Sequence, residues 1–354
     1  MLILKQLLDL LVERGGSDLH ITAGSPPRIR LHGKMMDTEY EPLNSEDTKS
    51  LIYGVLSSEQ IARFEREHEL DLSFGIPEIG RFRTNVFVQR GAIGAVLRVV
   101  PQRIQSFEEL GLPLEVCVDL CNLPKGLILV TGATGSGKST TLAAMIDYLN
   151  CRRSGHIITV EDPIEFLHKN RKSLVNQREV GHDTHGFKNA LRSVLRQDPD
   201  VVMIGEMRDL ETIEAALNIS ETGHLTFSTL HTSDAVQTIC RVIDVFPGHQ
   251  QQQIRTQLSS VLQAVFCQQL VPNVDGRKRV LAAEILLCNP AVKSLIREDK
   301  THQIYSIMQT NRRLGMCTMN QALAEHLRAN LITSEAAFAH SADPAELERL
   351  IRSK

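Results

Sequence analysis

The sequence predicts an α/β protein in two parts, a small α+β domain followed by a larger domain built on a parallel sheet. Three observations carry this. Short runs of alternating hydrophobicity separated by turn signals fill the first 100 residues or so. After Leu114 apolar strands alternate with helices, and a glycine-rich phosphate loop lies between the first of those strands and its helix. The length of 354 residues also exceeds what one hydrophobic core usually serves.

Taken in order, "MLILKQLLDLLVERGG" places Leu4, Leu7, Leu8 and Leu11 on one helical stripe that stops at Gly15-Gly16. It lacks a basic n-region and a small-residue cleavage site and is interrupted by Lys5 and Asp9, so it reads as a packing helix, not a signal peptide. Strands follow in "SDLHIT", in "PRIRLHGKMM" with a turn at His32-Gly33, and in "RFRTNVFVQR" and "AIGAVLRVV", with a helical stretch near 45 to 69. Residues 101–114, with a capping-box-like Ser106-x-x-Glu109, read as the linker between a domain over 1–100 and the core of the second domain over 115–289. In the core, "GLILVTG", "HIITVED", "DVVMIGE" and "LTFSTLH" are near-continuous apolar strands between helices, the mark of a parallel sheet covered on both faces. Residues 290–354 are mostly helical and polar.

Composition narrows the function. A net charge of -3 with only scattered basic groups argues against a nucleic-acid grip, which needs a concentrated basic surface. The seven cysteines are an odd number without C-x-x-C spacing, as expected of a reduced, cytosolic protein without a structural zinc. No apolar run approaches the length of a membrane span.

The phosphate loop is Gly132-Ala133-Thr134-Gly135-Ser136-Gly137-Lys138-Ser139, followed by Thr140. Its glycines let successive amides turn around an anion, and the following helix presents its positive end. Lys138 is the residue to reach the β- and γ-phosphates of ATP, and Ser139 the one to ligate Mg²⁺. In an open parallel sheet, ligands sit beyond the carboxyl ends of the strands. That edge receives Glu161 and Asp162 after "HIITV", Glu206 after "DVVMIG", and His231 after "LTFSTL". Glu206 suits the acidic role near magnesium, Glu161 shares or holds the role of base, and the sequence leaves the two open. His231 is placed to donate to the γ-phosphate, whereas His224 precedes the same strand and belongs at the opposite edge; Arg208 is expected to pair with a nearby acid.

On these motifs the chain resembles the type IV pilus retraction ATPases, the PilT family of the secretion-ATPase superfamily. The resemblance runs through "RGGSDLH" (14–20), "ELDLSFGI" (69–76), "RFRTNVFVQRGA" (81–92), "FEELGLP" (107–113), the phosphate loop, "TVEDPIE" (159–165), "LRQDPDVVMIGEMRDLETIEAAL" (195–217) and "TGHLTFSTLHT" (222–232). The last three look like the family's Asp box, Walker B and His box. Two departures stand out. Ala133 replaces a usual proline, and "AVKSLIRE" (291–298) differs from the family's A-I-R-N-L-I-R-E at Val292, Lys293 and Ser294.

The resemblance implies a PAS-like N-terminal domain, a RecA-like ATPase domain and a homohexameric ring with nucleotide held near a neighbouring subunit. Arg81, Arg83 and Arg98 of the first domain would then bring guanidinium groups to the γ-phosphate. It also implies a cytoplasmic motor docked on the inner membrane through a polytopic platform protein, which it turns to withdraw pilin. An accessory or extension-type paralogue is the nearest rival reading. A RecA-like nucleic-acid motor and an assembly protein that binds ATP without hydrolysing it are the others.

Overall fold

The structure, a computed structural model, describes residues 3–31, 33–101 and 103–352, so His32 of the expected turn and Gln102 of the expected linker lie outside the described residues. It divides into two compact units, 1–103 and 104–354.

The first unit opens with α1 (Leu4–Glu13), whose four stripe leucines are all buried. It continues through β1 (Asp18–Ile21), β2 (Arg28–Leu31), β3 (Lys34–Asp37), α2 (Ser45–Tyr53), α3 (Ser58–Glu67), β4 (Glu69–Ile76), β5 (Gly80–Gln89) and β6 (Ala92–Val100). The helical stretch near 45 to 69 is two helices, because Gly54 ends the first and the capping box of Ser57 and Gln60 starts the second. The strands form one antiparallel sheet in the order β3-β2-β1-β6-β5-β4. Alternation puts Leu19, Phe82, Val86 and Leu97 in the core with Leu7, Leu11 and Phe64.

The second unit begins earlier than the sequence suggests. Ser106 and Glu109 form the expected capping box at α4 (Phe107–Leu110), and Phe107 is buried against Tyr148, so the supposed linker is partly folded into this unit. After α5 (Leu114–Cys121) come β7 (Gly126–Thr131), α6 (Lys138–Arg152), β8 (His156–Glu161), β9 (Leu174–Glu179), α7 (Phe187–Val194), β10 (Val201–Ile204), α8 (Leu210–Glu221), β11 (Leu225–Leu230), α9 (Ala235–Asp244) and α10 (Gly248–Val261). Then β12 (Leu262–Pro272) and β13 (Arg279–Leu287) lead to α11 (Pro290–Arg297), α12 (Ile304–Thr310), α13 (Met319–Arg328), α14 (Ser334–His340) and α15 (Pro344–Arg352).

The seven-stranded sheet runs β13-β12-β7-β11-β10-β8-β9, parallel throughout except for the β12–β13 pair. Successive β7 side chains feed opposite layers: Leu127 and Leu129 pack with α7 to α12, Ile128 and Val130 with α5 and α6. Both faces are therefore covered, which is why these strands are apolar without alternation. Among the described residues no helix is long and apolar enough to cross a membrane.

Candidate active site

Strand order decides what meets the phosphate loop. The loop leaves the carboxyl end of β7; β11 is the next strand over, then β10, then β8. His231, Glu206 and Glu161 thus stand at successive strand ends along one sheet edge, as the sequence places them.

The loop is shaped as an anion cradle. Gly135 and Gly137 have φ of +79° and +93°, and a Cβ on Gly135 would meet nothing within 4 Å, so the amides there line open space. Gly132 (φ +136°) is required for another reason: its Cβ would lie 2.4 Å from the Gln268 carbonyl oxygen. No side chain caps the start of the fifteen-residue α6, leaving its first N–H groups to an external acceptor. The buried Ser136 Oγ has no hydrogen-bond partner among the described residues. Lys138 is buried and, among the described residues, donates to two loop carbonyls, Gly132 O at 2.8 Å and Ala133 O at 3.0 Å. Burial lowers its pKa while the charge of Glu206 opposes that, which sets the acid within electrostatic reach of the ammonium. Donors without acceptors, an uncapped helix start and an enclosed ammonium fit a phosphate tail. Ser139 and Glu206 add the hard oxygen donors that suit magnesium.

Glu206 is held from two sides. His231 Nε2 lies 3.0 Å from its Oε1 and Arg208 Nη2 2.9 Å from its Oε2. Burial raises the carboxyl pKa, but Arg208 and His231 outweigh it and the net shift is downward, so the group is anionic. Its turn is fixed by the neighbouring strands: Thr229 Oγ1 donates to Gly205 O (2.6 Å), Met207 N to Thr229 O (3.1 Å) and Gly205 N to Val160 O (2.8 Å).

Glu161 differs in every respect. It is buried and accepts from Thr159 Oγ1 (2.7 Å), Gln177 Nε2 (3.2 Å) and Glu165 N (3.2 Å). Burial dominates and pushes its carboxyl above the usual range. His224, at the start of β11, contacts Ile219 O and Thr222, away from this edge.

Arg81, Arg83 and Arg98 belong to the first unit. Arg98 Nε lies 2.7 Å from the buried Asp18, Arg81 Nη2 donates to Ser73 Oγ at 2.6 Å, and Arg83 stands opposite Arg98 in the β5–β6 register. Thr229, Gln177 and Gln268 also support this edge without having been expected from the sequence; Gln268 Nε2 donates to Thr141 Oγ1 at 2.8 Å in the first turn of α6. Thr159 and Thr229 each left a signal, standing two residues before Glu161 and His231 respectively.

The sequence model for the type II/IV secretion system protein family matches residues 2–348. The chain is 49% identical over 330 residues to the type IV pilus retraction ATPase PilT of Pseudomonas aeruginosa, covering 93% of this chain and 95% of that one. It is 43% identical over 348 residues to the type IV pilus ATPase PilU of the same organism, covering 98% and 91%. A crystal structure of the pilus retraction motor PilT with bound ADP matches with a TM-score of 0.93 at 50% identity, covering 99% of this chain and 100% of that one. Phosphate loop, strand-end acids, fold and relatives agree: the chain belongs to the PilT family of pilus retraction ATPases, within the type II/IV secretion system proteins.

Proposed function

We propose that the chain is a magnesium-dependent ATPase that powers type IV pilus retraction, and with it twitching motility, as a homohexamer acting on an inner-membrane platform protein. The observation that carries this reading is the Glu206–His231 pair at neighbouring strand ends, within electrostatic reach of Lys138 in an uncapped phosphate loop.

The loop amides from Gly132 to Thr140 and the Lys138 ammonium bind the phosphate tail, Lys138 exchanging its two carbonyl partners for phosphate oxygens. Ser139 and Glu206 hold magnesium, which when bound neutralises charge on the transferring phosphoryl group. The opposite environments of the two acids divide the remaining work. Glu206 stays ionised and orients, while Glu161, made more basic by burial, accepts the proton of the attacking water. His231 donates from Nε2, and its bond to Glu206 keeps it beside that acid. Arg81, Arg83 and Arg98 serve the site of a neighbouring subunit, with Asp18 holding Arg98 until then. Their arrival couples chemistry to closure of one subunit on the next, and sequential closure turns the platform protein. The motor works in the cytoplasm, docked at the membrane through that partner; the names of its relatives support the part of this reading that makes it a pilus ATPase.

The experiment is gene deletion scored for twitching, then complementation. Wild type should restore motility and Lys138→Ala should not. A deletion strain that retracts normally would make the chain an accessory motor, and single-stranded DNA that stimulates hydrolysis would point to a nucleic-acid motor.

A further inference from the structure

Glu284 is an acid in an otherwise apolar strand, "VLAAEILL", and is 3% exposed. One carboxylate oxygen accepts from Ala235 N at 2.8 Å and the other from Met319 N at 3.3 Å. Those are the first residues of α9 and α13, which already carry side-chain caps of their own in Asp234 and Thr318. Glu284 therefore satisfies a second free N–H at each helix start and, when ionised above about pH 7, places a negative charge at both positive ends. A buried carboxylate is tolerated only when its bonds are made, so it ties the two helices to β13.

What makes the joint informative is where α9 begins. Leu230 ends β11, and only His231, Thr232, Ser233 and Asp234 separate it from Ala235. The sheet fixes one end of this short loop. Glu284 fixes the other, helped by Thr238, whose Oγ1 lies 2.6 Å from Thr232 Oγ1 and 2.7 Å from Asp234 O. At α13 the same strand is stitched again, since Ile285 N donates to Cys317 O (2.7 Å) and Cys317 N to Ile285 O (3.0 Å).

We propose that Glu284 is a positioning residue for ATP hydrolysis, setting His231 against Glu206 through the start of α9 and linking that geometry to the C-terminal helices through the start of α13. The inference rests on the reading that the Glu206–His231 pair serves hydrolysis. Among the described residues, the groups that act on Glu284, or feel its charge, include Asp234, Glu346, Cys267, Cys317 and Tyr305, and these bring no cation to it. The two amides are thus the groups that hold its charged form.

The test is a double-mutant cycle on the purified full chain, with Glu284→Gln, His231→Ala and both together, measuring kcat for phosphate release and Kd for ATP. Because misplacing a reacting group by about 1 Å can cost up to ~100-fold, Glu284→Gln should lower kcat by roughly tenfold. Kd should stay within about twofold, and kcat should fall no further in the His231→Ala background. An equal loss in both backgrounds, or none in the wild-type background, overturns the inference while leaving the active-site reading intact. If His231→Ala leaves kcat unchanged, the active-site reading fails and this inference with it. Should Glu284→Gln not assemble, hydrogen exchange on the unaltered protein decides. Amides 232–238 and 317–321 should slow together, by the same factor, when ATP is added; protection confined to the first segment overturns the inference.

Discussion

Replacing Glu284 with glutamine changes not only catalysis but the pH dependence of stability, with a sign that the structure dictates. Burial, reinforced by Asp234 and Glu346, pushes the Glu284 carboxyl from the ordinary 4.5 up to about 7, against the pull of the Ala235 and Met319 amides. Between those values the folded state keeps a proton that the unfolded chain has released. Stability contributed by this group is therefore fully present below pH 4.5 and lost as pH rises through 7. At about 1.4 kcal/mol per pH unit the whole effect is roughly 3 kcal/mol, of which about 2.5 kcal/mol falls between pH 5 and pH 8. Glutamine is neutral throughout. In urea or thermal unfolding, Glu284→Gln should gain on wild type by that amount across the interval, roughly 5–10 °C in Tm for a unit of this size. A difference that stays flat from pH 5 to pH 8, or grows in favour of wild type, would mean that Glu284 does not hold its proton in the folded protein.

Other substitutions separate the parts of the site. Lys138→Ala removes a charge-assisted contact to phosphate and should weaken ATP binding roughly 10- to 100-fold in calorimetry; unchanged affinity would remove Lys138 from the cradle. Gly132→Ala and Gly135→Ala both force an alanine to positive φ, at about 1–2 kcal/mol, but only the former drives a Cβ into the Gln268 carbonyl. Urea unfolding should show a clearly larger loss for Gly132→Ala, and equal losses would count against this loop geometry. In α11, Val292 and Ile296 are fully buried, whereas Leu295 borders a shallow groove with Gln303, Ser306 and Ile307. Leu295→Ala and Arg297→Ala should therefore leave phosphate release largely intact and stop retraction; parallel loss of both activities would contradict a role in transmission.

The parts of this molecule legible in the sequence are those written locally. The loop spacing from Gly132 to Ser139, the leucine stripe of α1 and the apolar runs of β7, β8, β10 and β11 each need only neighbours in the chain, and the carboxyl ends of those strands then put Glu161, Glu206 and His231 on one edge. The remainder depends on partners far away. Helix α10 passes into β12 at Leu262 with no glycine or proline between, so periodicity alone does not divide "LSSVLQAVFCQQLV". Gln268 meets Thr141 from 127 residues away, and Glu284 reaches Ala235 across 49 and Met319 across 35. Nothing in local pattern announces such contacts, although a lone acid in "LAAEILL" is a signal that a buried partner exists. The fold of residues 104–114 into the second unit is missed for a similar reason, because Phe107 finds Tyr148 only once α6 is in place.

Phosphate release by Glu206→Gln, measured beside ATP binding on the same preparation, decides whether the loop holds ATP while the strand-end acids hydrolyse it. The expected result is binding within about tenfold of wild type with phosphate release down on the order of 100-fold or more. Release at the wild-type rate from protein that still binds ATP would contradict it.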